Sequence, residues 1–219
     1  MLVSIVLPCR NEREGLPQCV KEIRRALDGK NYEIIVSDSS SDGSGDIAEM
    51  LGCKVVRHEK GYGNALMTGL DAGEGEYLVF ADCDRSYDFS ELPKFISLLE
   101  QGFDFVLGSR FSGEIMDGAM PLIHRYIGNP VLTFLFNMRF GAKFTDTHSG
   151  YRAITKKAYE SMRLRKGGME FATEMLAEAT RLKLRFAEIP IRYSKRVGKS
   201  KLNAFDDGLK HLIFIMKPR

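Results

Sequence analysis

No apolar run in this chain of 219 residues approaches the ~20 that a membrane-spanning helix needs. The longest, 131–136 and 212–216, are far shorter, so no bilayer crossing is expected. Cysteine is scarce as well: Cys9, Cys19, Cys53 and Cys83 form no C-x-x-C pair and show no zinc spacing. That excludes a disulfide framework or a zinc module and suits reduced thiols in a cytosolic compartment. Met1 is not followed by the charged-then-apolar pattern of a secretory signal, so no leader is expected. Internal repeats and low-complexity tracts are missing. No aromatic-rich strand of the RNA-recognition kind accompanies the basic residues, which ranks RNA binding last.

What is present can fill one substantial core: 44% of the residues are hydrophobic, and a single domain over 1–219 is expected. The net charge of +3 conceals an asymmetry. Residues 1–100 carry 11 basic and 18 acidic side chains, whereas 101–219 carry 21 and 11. Within 181–201, eight Lys/Arg stand against one Glu. A basic segment facing an acidic half suits an anionic ligand such as a diphosphate held between them. A solvated basic face or a nucleic-acid patch is the plainer alternative.

Short apolar runs at 3–7, 32–36, 54–57 and 77–81 read as strands, separated by helical spacing over 16–27, 44–51 and 64–72. This alternation predicts an α/β fold with a mostly parallel sheet wound in right-handed crossovers. Ser90 is expected to cap the next helix, with Pro93 in its early turns, before a strand over 105–107. Residues 111–120 lack periodicity and read as a mobile loop. The stretch 121–140 is apolar with basic residues at both ends, so it either fills a core or lies in a membrane interface, with Leu132 and Phe136 expected to meet lipid. Helices at 156–162 and 171–181, a strand pair over 184–193 bent at Pro190, and an amphipathic helix over 205–216 complete the reading.

The stretch GEYLVFADCDRS, 75–86, is central. A buried strand ends there in Asp82 and Asp84, where both carboxylates can turn toward one point beyond the sheet's carboxyl edge, the usual ligand position in open α/β folds. Mg²⁺ or Mn²⁺ suits such a pair, since either cation is held by one or two carboxylates and completes its shell with phosphates and water. Two solvated aspartates closing a strand are the bland alternative.

Seven motifs fall in order: IVLPCRNE (5–12), the aspartate loop at 38–44, KGYGNALMTG (60–69), D-x-D (82–84), GSRF (108–111), DTHSGYRA (146–153) and RVGKSK (196–201). The series resembles the family-2 glycosyltransferases of GT-A fold, and within them the polyprenyl-phosphate (dolichol-phosphate) mannose or glucose synthases. The resemblance implies a Rossmann-like nucleotide-sugar half over 1–110 and an acceptor-side half over 111–219 carrying amphipathic interface helices. It implies inverting transfer of a hexose from a GDP- or UDP-sugar to a polyprenyl or dolichyl phosphate, by a peripheral enzyme on the cytosolic membrane face.

The resemblance also assigns residues. Pro8, Arg10, Glu12, Val36 and Asp38 would enclose the nucleoside, although Arg10 stands where relatives have an aromatic. Asp82, Cys83 and Asp84 would contact the donor, with Asp84 the stronger metal ligand and Ser86 a third. Arg110, Arg196 and Lys201 would bind the diphosphate, and Asp146 would sit beside the sugar or acceptor. Arg110, Arg125 and Asn129 would hold the acceptor phosphate. His148 reads as a structural histidine. An ionised phosphate acceptor needs no general base, whereas a soluble or glycan hydroxyl acceptor would draw on Asp146, Glu170 or Glu174. A non-catalytic nucleotide-binding subunit of a membrane complex is the remaining alternative.

Overall fold

A computed structural model describes residues 1–198 and 204–217. Among the described residues, seven strands form one sheet in the order β3-β2-β1-β4-β6-β5-β7. They are β1 (Val3–Cys9), β2 (Tyr32–Asp38), β3 (Lys54–Arg57), β4 (Tyr77–Phe80), β5 (Phe105–Ile115), β6 (Arg152–Thr155) and β7 (Phe186–Tyr193). β1 pairs in parallel with β2 and β4, β2 with β3, and β5 with β7, whereas β6 runs antiparallel to both β4 and β5.

The sheet is covered on both faces, so its central strands are near-continuous apolar runs. Ile5, Leu7, Val36 and Val79 face one layer, with α1 (Leu16–Ala26) and α4 (Leu92–Glu100). Val6, Ile35, Leu78 and Phe80 face the other, with α3 (Tyr62–Asp71) and α7 (Phe171–Arg181). Adjacent residues pointing to opposite layers follow from the two-residue period of a strand. The remaining helices are α2 (Ser44–Met50), α5 (Asn129–Phe140), α6 (Lys156–Ser161) and α8 (Ala204–Met216).

Three local expectations are corrected. Residues 111–115 are not a loop but the continuation of β5, which resumes pairing with β7 beyond an irregularity between Ser109 and Glu114. The stretch reads as aperiodic because its outer residues are exposed, and Gly113 lies so close to the Ile191 backbone that a Cβ would collide with it. The expected strand pair at 184–193 is the single strand β7, which tolerates Pro190 because it is the sheet's edge. Asp88, not Ser90, caps the turn before α4: its Oδ1 accepts from the Ser90 amide at 2.9 Å. Residues 122–140 are helical without a break, a π-helical turn at His124–Gly128 running directly into α5 (Asn129–Phe140).

That last segment is both core and surface. Thr133 and Phe136 are buried, Phe136 completely, and α5 packs on α8. Leu122, Ile123, Tyr126, Ile127, Phe134 and Met138 are exposed, as are Leu209, Ile213 and Met216 on α8. Phe136 is therefore a core residue rather than one that meets lipid. Among the described residues no helix is long and apolar enough to cross a membrane.

Candidate active site

A cleft of about 330 Å³ opens beyond the carboxyl ends of β1 to β4. Its size falls in the range of roughly 300–1,000 Å³ usual for small-molecule sites. Asp82 and Asp84 lie on its wall just past β4. Asp82 accepts a hydrogen bond from the Tyr62 hydroxyl. Gly150 packs against both groups, and a Cβ there would come within 2.9 Å of that hydroxyl and 3.2 Å of Asp82 Oδ2. Burial, and then the charge of Asp84, push the Asp82 carboxyl up to about 7.

Asp84 is held differently. Its Oδ1 accepts from the Ser86 amide at 2.9 Å and the Ser86 hydroxyl at 2.6 Å, while Oδ2 faces Arg196 Nη2 at 3.3 Å. The same Nη2 donates to Glu12 Oε1 at 2.9 Å, and Arg196 Nε is buried with no partner among the described residues. Arg196 reaches the acids because the chain after β7 is pinned to their loop. Ser194 N donates to Ser86 O and Val197 N to Asp84 O, each at 2.8 Å. Two cations from distant sequence, Arg196 and Lys210 of α8, thus line a cleft whose wall is acidic.

The pair fits a divalent cation. Asp82 carries a carboxyl whose ionisation is opposed by burial and by its neighbour, and a cation between the two would remove that penalty. Among the described residues no group of three or more His, Cys, Asp or Glu is assembled, so the protein offers two carboxylates and leaves the other positions to phosphate and water. Ser86, expected as a third ligand, spends its hydroxyl on orienting Asp84.

The structure brings Pro8, Arg10, Glu12, Cys83 and Arg196 to this cleft together with the two aspartates. Other expected residues lie elsewhere. Val36 is buried within β2, and Asp38, also buried, is bound by the Arg57 guanidinium and by the Ser40 amide at 3.1 Å. Arg110 does not line the cleft: its Nε and Nη2 donate to Asp146 Oδ2 and Oδ1 at 2.7 and 2.8 Å, a bidentate pair removed from solvent. Asp146 is consumed in that pair and also accepts from the Arg110 and His148 amides. Arg125 donates to Ile115 O at 3.4 Å and Asn129 to Met120 Sδ at 3.4 Å, on the side of α5. Lys201 lies outside the described residues.

His148 is half-buried against His211 of α8, with ring centroids 4.4 Å apart, and desolvation of its ring holds it well below the usual histidine range. Glu174 accepts from the Arg165 and Lys166 amides at 3.0 and 2.8 Å. Glu170, at the start of α7, keeps a buried Oε2 with no partner among the described residues. The cleft residues that escaped the sequence reading include His58, Tyr62, Asp207 and Lys210. Tyr62 lay within a quoted motif, but Asp207 and Lys210 sit on a helix read only for its apolar face.

The sequence pattern described as Glycosyl transferase family 2 matches residues 4–163. A low-salt glycan biosynthesis hexosyltransferase of Haloferax volcanii is 39% identical over 218 residues, covering 98% of this chain and 53% of the relative. The chain thus spans about half the length of that protein. A dolichyl-phosphate hexose transferase of the same organism is 31% identical over 209 residues, covering 94% of this chain and 89% of the relative. A dolichol-phosphate mannosyltransferase of Pyrococcus furiosus is 30% identical over 230 residues, covering 99% and 64%. In fold, the chain is similar to Mycobacterium tuberculosis glucosyl-3-phosphoglycerate synthase solved with Mn²⁺, UDP and glucosyl-3-phosphoglycerate. That match has a TM-score of 0.76 at 22% identity and covers 97% of this chain and 79% of the other.

Proposed function

Starting from the membership of this chain in glycosyl transferase family 2, we propose that it moves a hexose from a UDP- or GDP-sugar to a polyprenyl or dolichyl phosphate, as a peripheral enzyme on the cytosolic membrane face. The observation that carries this is the Asp82–Asp84 pair set against Arg196 at the cleft wall. Acids that hold a divalent cation and an arginine able to reach phosphate oxygens suit a departing nucleoside diphosphate. Two relatives whose names include dolichyl or dolichol phosphate support the acceptor, and the neighbour solved with Mn²⁺ and UDP supports the metal and the donor.

In this reading Asp84 and Asp82 hold Mg²⁺ or Mn²⁺, which would neutralise the charge developing on the diphosphate. Ser86 orients Asp84. Glu12 fixes the resting position of Arg196, which turns to the diphosphate when donor binds, and Lys210 adds a second positive charge from α8. The acceptor oxygen attacks the anomeric carbon on the face opposite the leaving group and inverts it. A phosphate acceptor, whose last pKa is about 6, is already ionised near neutrality. That agrees with the fate of two expected bases, since Asp146 is spent on Arg110 and Glu174 on two backbone amides. The exposed apolar face of α5 and α8, flanked by exposed Arg139 and Lys143, would rest on the lipid surface that holds the acceptor.

One observation favours a second reading, transfer to a soluble or glycan hydroxyl: the Glu170 oxygen that has no partner among the described residues could take the proton. The test is transfer of labelled hexose from UDP- and GDP-sugars to a short polyprenyl phosphate, following label into organic solvent. Transfer that stops with chelator and persists in Glu170→Gln is the expected result. Transfer untouched by chelator sinks the metal assignment, and label reaching only a hydroxyl acceptor, with Glu170→Gln inactive, replaces the first reading by the second.

A further inference from the structure

The two acids of the cleft are oriented by different neighbours. Asp84 is turned by Ser86, two residues along the same loop. Asp82 is met from outside that loop, by the Tyr62 hydroxyl at the first residue of α3. A phenol donates its one proton to one carboxylate oxygen, so this hydrogen bond engages one side of Asp82 and leaves the other open to the cleft that both residues line.

Tyr62 is held from several directions. It stands between Gly61 and Gly63, and a Cβ on these glycines would collide with the Gly167 and Lys166 carbonyls of the loop before α7. The same loop takes up early amides of α3, since Gly63 N donates to Gly168 O and Asn64 N to Gly167 O, each at 3.2 Å. Glu174 of α7 in turn fixes that loop through the Arg165 and Lys166 amides. On the other side Gly150 closes over the pair, and its position is set by Tyr87, whose hydroxyl accepts from the Gly150 amide at 2.7 Å. A phenol anchored in this way on packed backbone sets the direction of the carboxylate rather than following it.

We propose that Tyr62 is a positioning residue for the divalent cation: its hydroxyl holds one oxygen of Asp82 and presents the other to the cleft beside Asp84. Carboxylates that ligate a metal are themselves hydrogen-bonded, and loss of such an outer partner typically costs roughly 10–100-fold in metal affinity. Tyr87 supplies the contrast. Its hydroxyl also lies close to Gly150, 3.3 Å from the place a Cβ would take, but it serves the Gly150 amide, so its loss falls on the fold.

This role rests on the metal reading of the acid pair, and the experiment separates the two. Mn²⁺ is titrated into the full chain, alone and with UDP or GDP present, and protein-bound cation is read from water-proton relaxation. Tyr62→Phe, which removes one oxygen and keeps the ring, is expected to weaken Mn²⁺ binding by roughly 10–100-fold. Tyr87→Phe is expected to lower the melting temperature instead and to keep the parent's Mn²⁺ affinity. Parent-like Mn²⁺ affinity in Tyr62→Phe, or an equal loss in Tyr87→Phe, overturns the positioning role while the metal reading stands. Failure of the parent to bind Mn²⁺ under any of these conditions overturns both.

Discussion

Arg110 and Asp146 show how a residue picked out by motif can owe its place to another residue. Asp146 is fully buried and meets Arg110 through two side-chain bonds and the Arg110 amide. Removing one member of a buried pair strands the other charge, at a cost of about 3–5 kcal/mol. Asp146→Asn is therefore expected to lower unfolding free energy by that order, measured by denaturant titration. Activity lost with unchanged stability would instead give Asp146 a chemical role. The motif series was legible at the level of residue type, and it located Asp82, Asp84, Glu12 and Arg196 in one cleft. Contact partners were not legible. Asp38 is claimed by Arg57, 19 positions away, and Asp146 by Arg110, 36 away, and no local pattern announces either pairing.

Among the elements, β1, β2 and β4 were readable because strands covered on both faces are near-continuous apolar runs, and β3 showed as Val55-Val56 between two charged residues. β6 was not, because its two apolar residues, Ala153 and Ile154, lie between Arg152 and Thr155 directly after a loop motif, and only pairing with β4 and β5 defines it. α8 was recognised as amphipathic, yet the apolar pattern did not reveal that His211 sits on its inner face. His211 Nδ1 lies 2.5 Å from Thr173 Oγ1, and the ring meets His148 edge-on. Burial pushes His211 down to about 4 from its ordinary 6.5, against the opposing pull of Asp207. Arg152 and Lys210 push it down further, while His211, Arg110 and Arg152 press on His148 in the same direction.

A histidine held below its unfolded value stabilises the docked state only while neutral. The docking of α8 is thus fully supported above pH 6.5 and weakens as pH falls toward 4. Hydrogen exchange of the α8 amides, corrected for the intrinsic pH effect, is expected to quicken between pH 7 and 5 in the parent and much less in His211→Gln. An equal response in both proteins would detach the effect from this histidine.

Across the whole molecule, the excess of acid in the first hundred residues and of base thereafter is realised as an acidic cleft wall met by Arg196 and Lys210. The opposing choices for 121–140 proved compatible, because one stripe of α5 packs inward through Thr133 and Phe136 while the other exposes Phe134 and Met138 at 61% and 68%. Replacing Phe134 and Met138 together by Glu is expected to reduce sedimentation with anionic liposomes by about tenfold or more, through lost apolar burial and added repulsion. Nucleotide binding and melting temperature should hold. Undiminished sedimentation would mean that another surface meets lipid.

The antiparallel strand in mid-sheet carries a consequence for how the chain is made. β4 waits for β6, which arrives more than seventy residues later, before its second edge is paired. While the ribosome supplies the intervening segment, the nascent protein presents an open ladder beside the future acid pair. Fragments ending before residue 150 should accordingly self-associate through that edge, whereas chains reaching beyond 155 can close it internally.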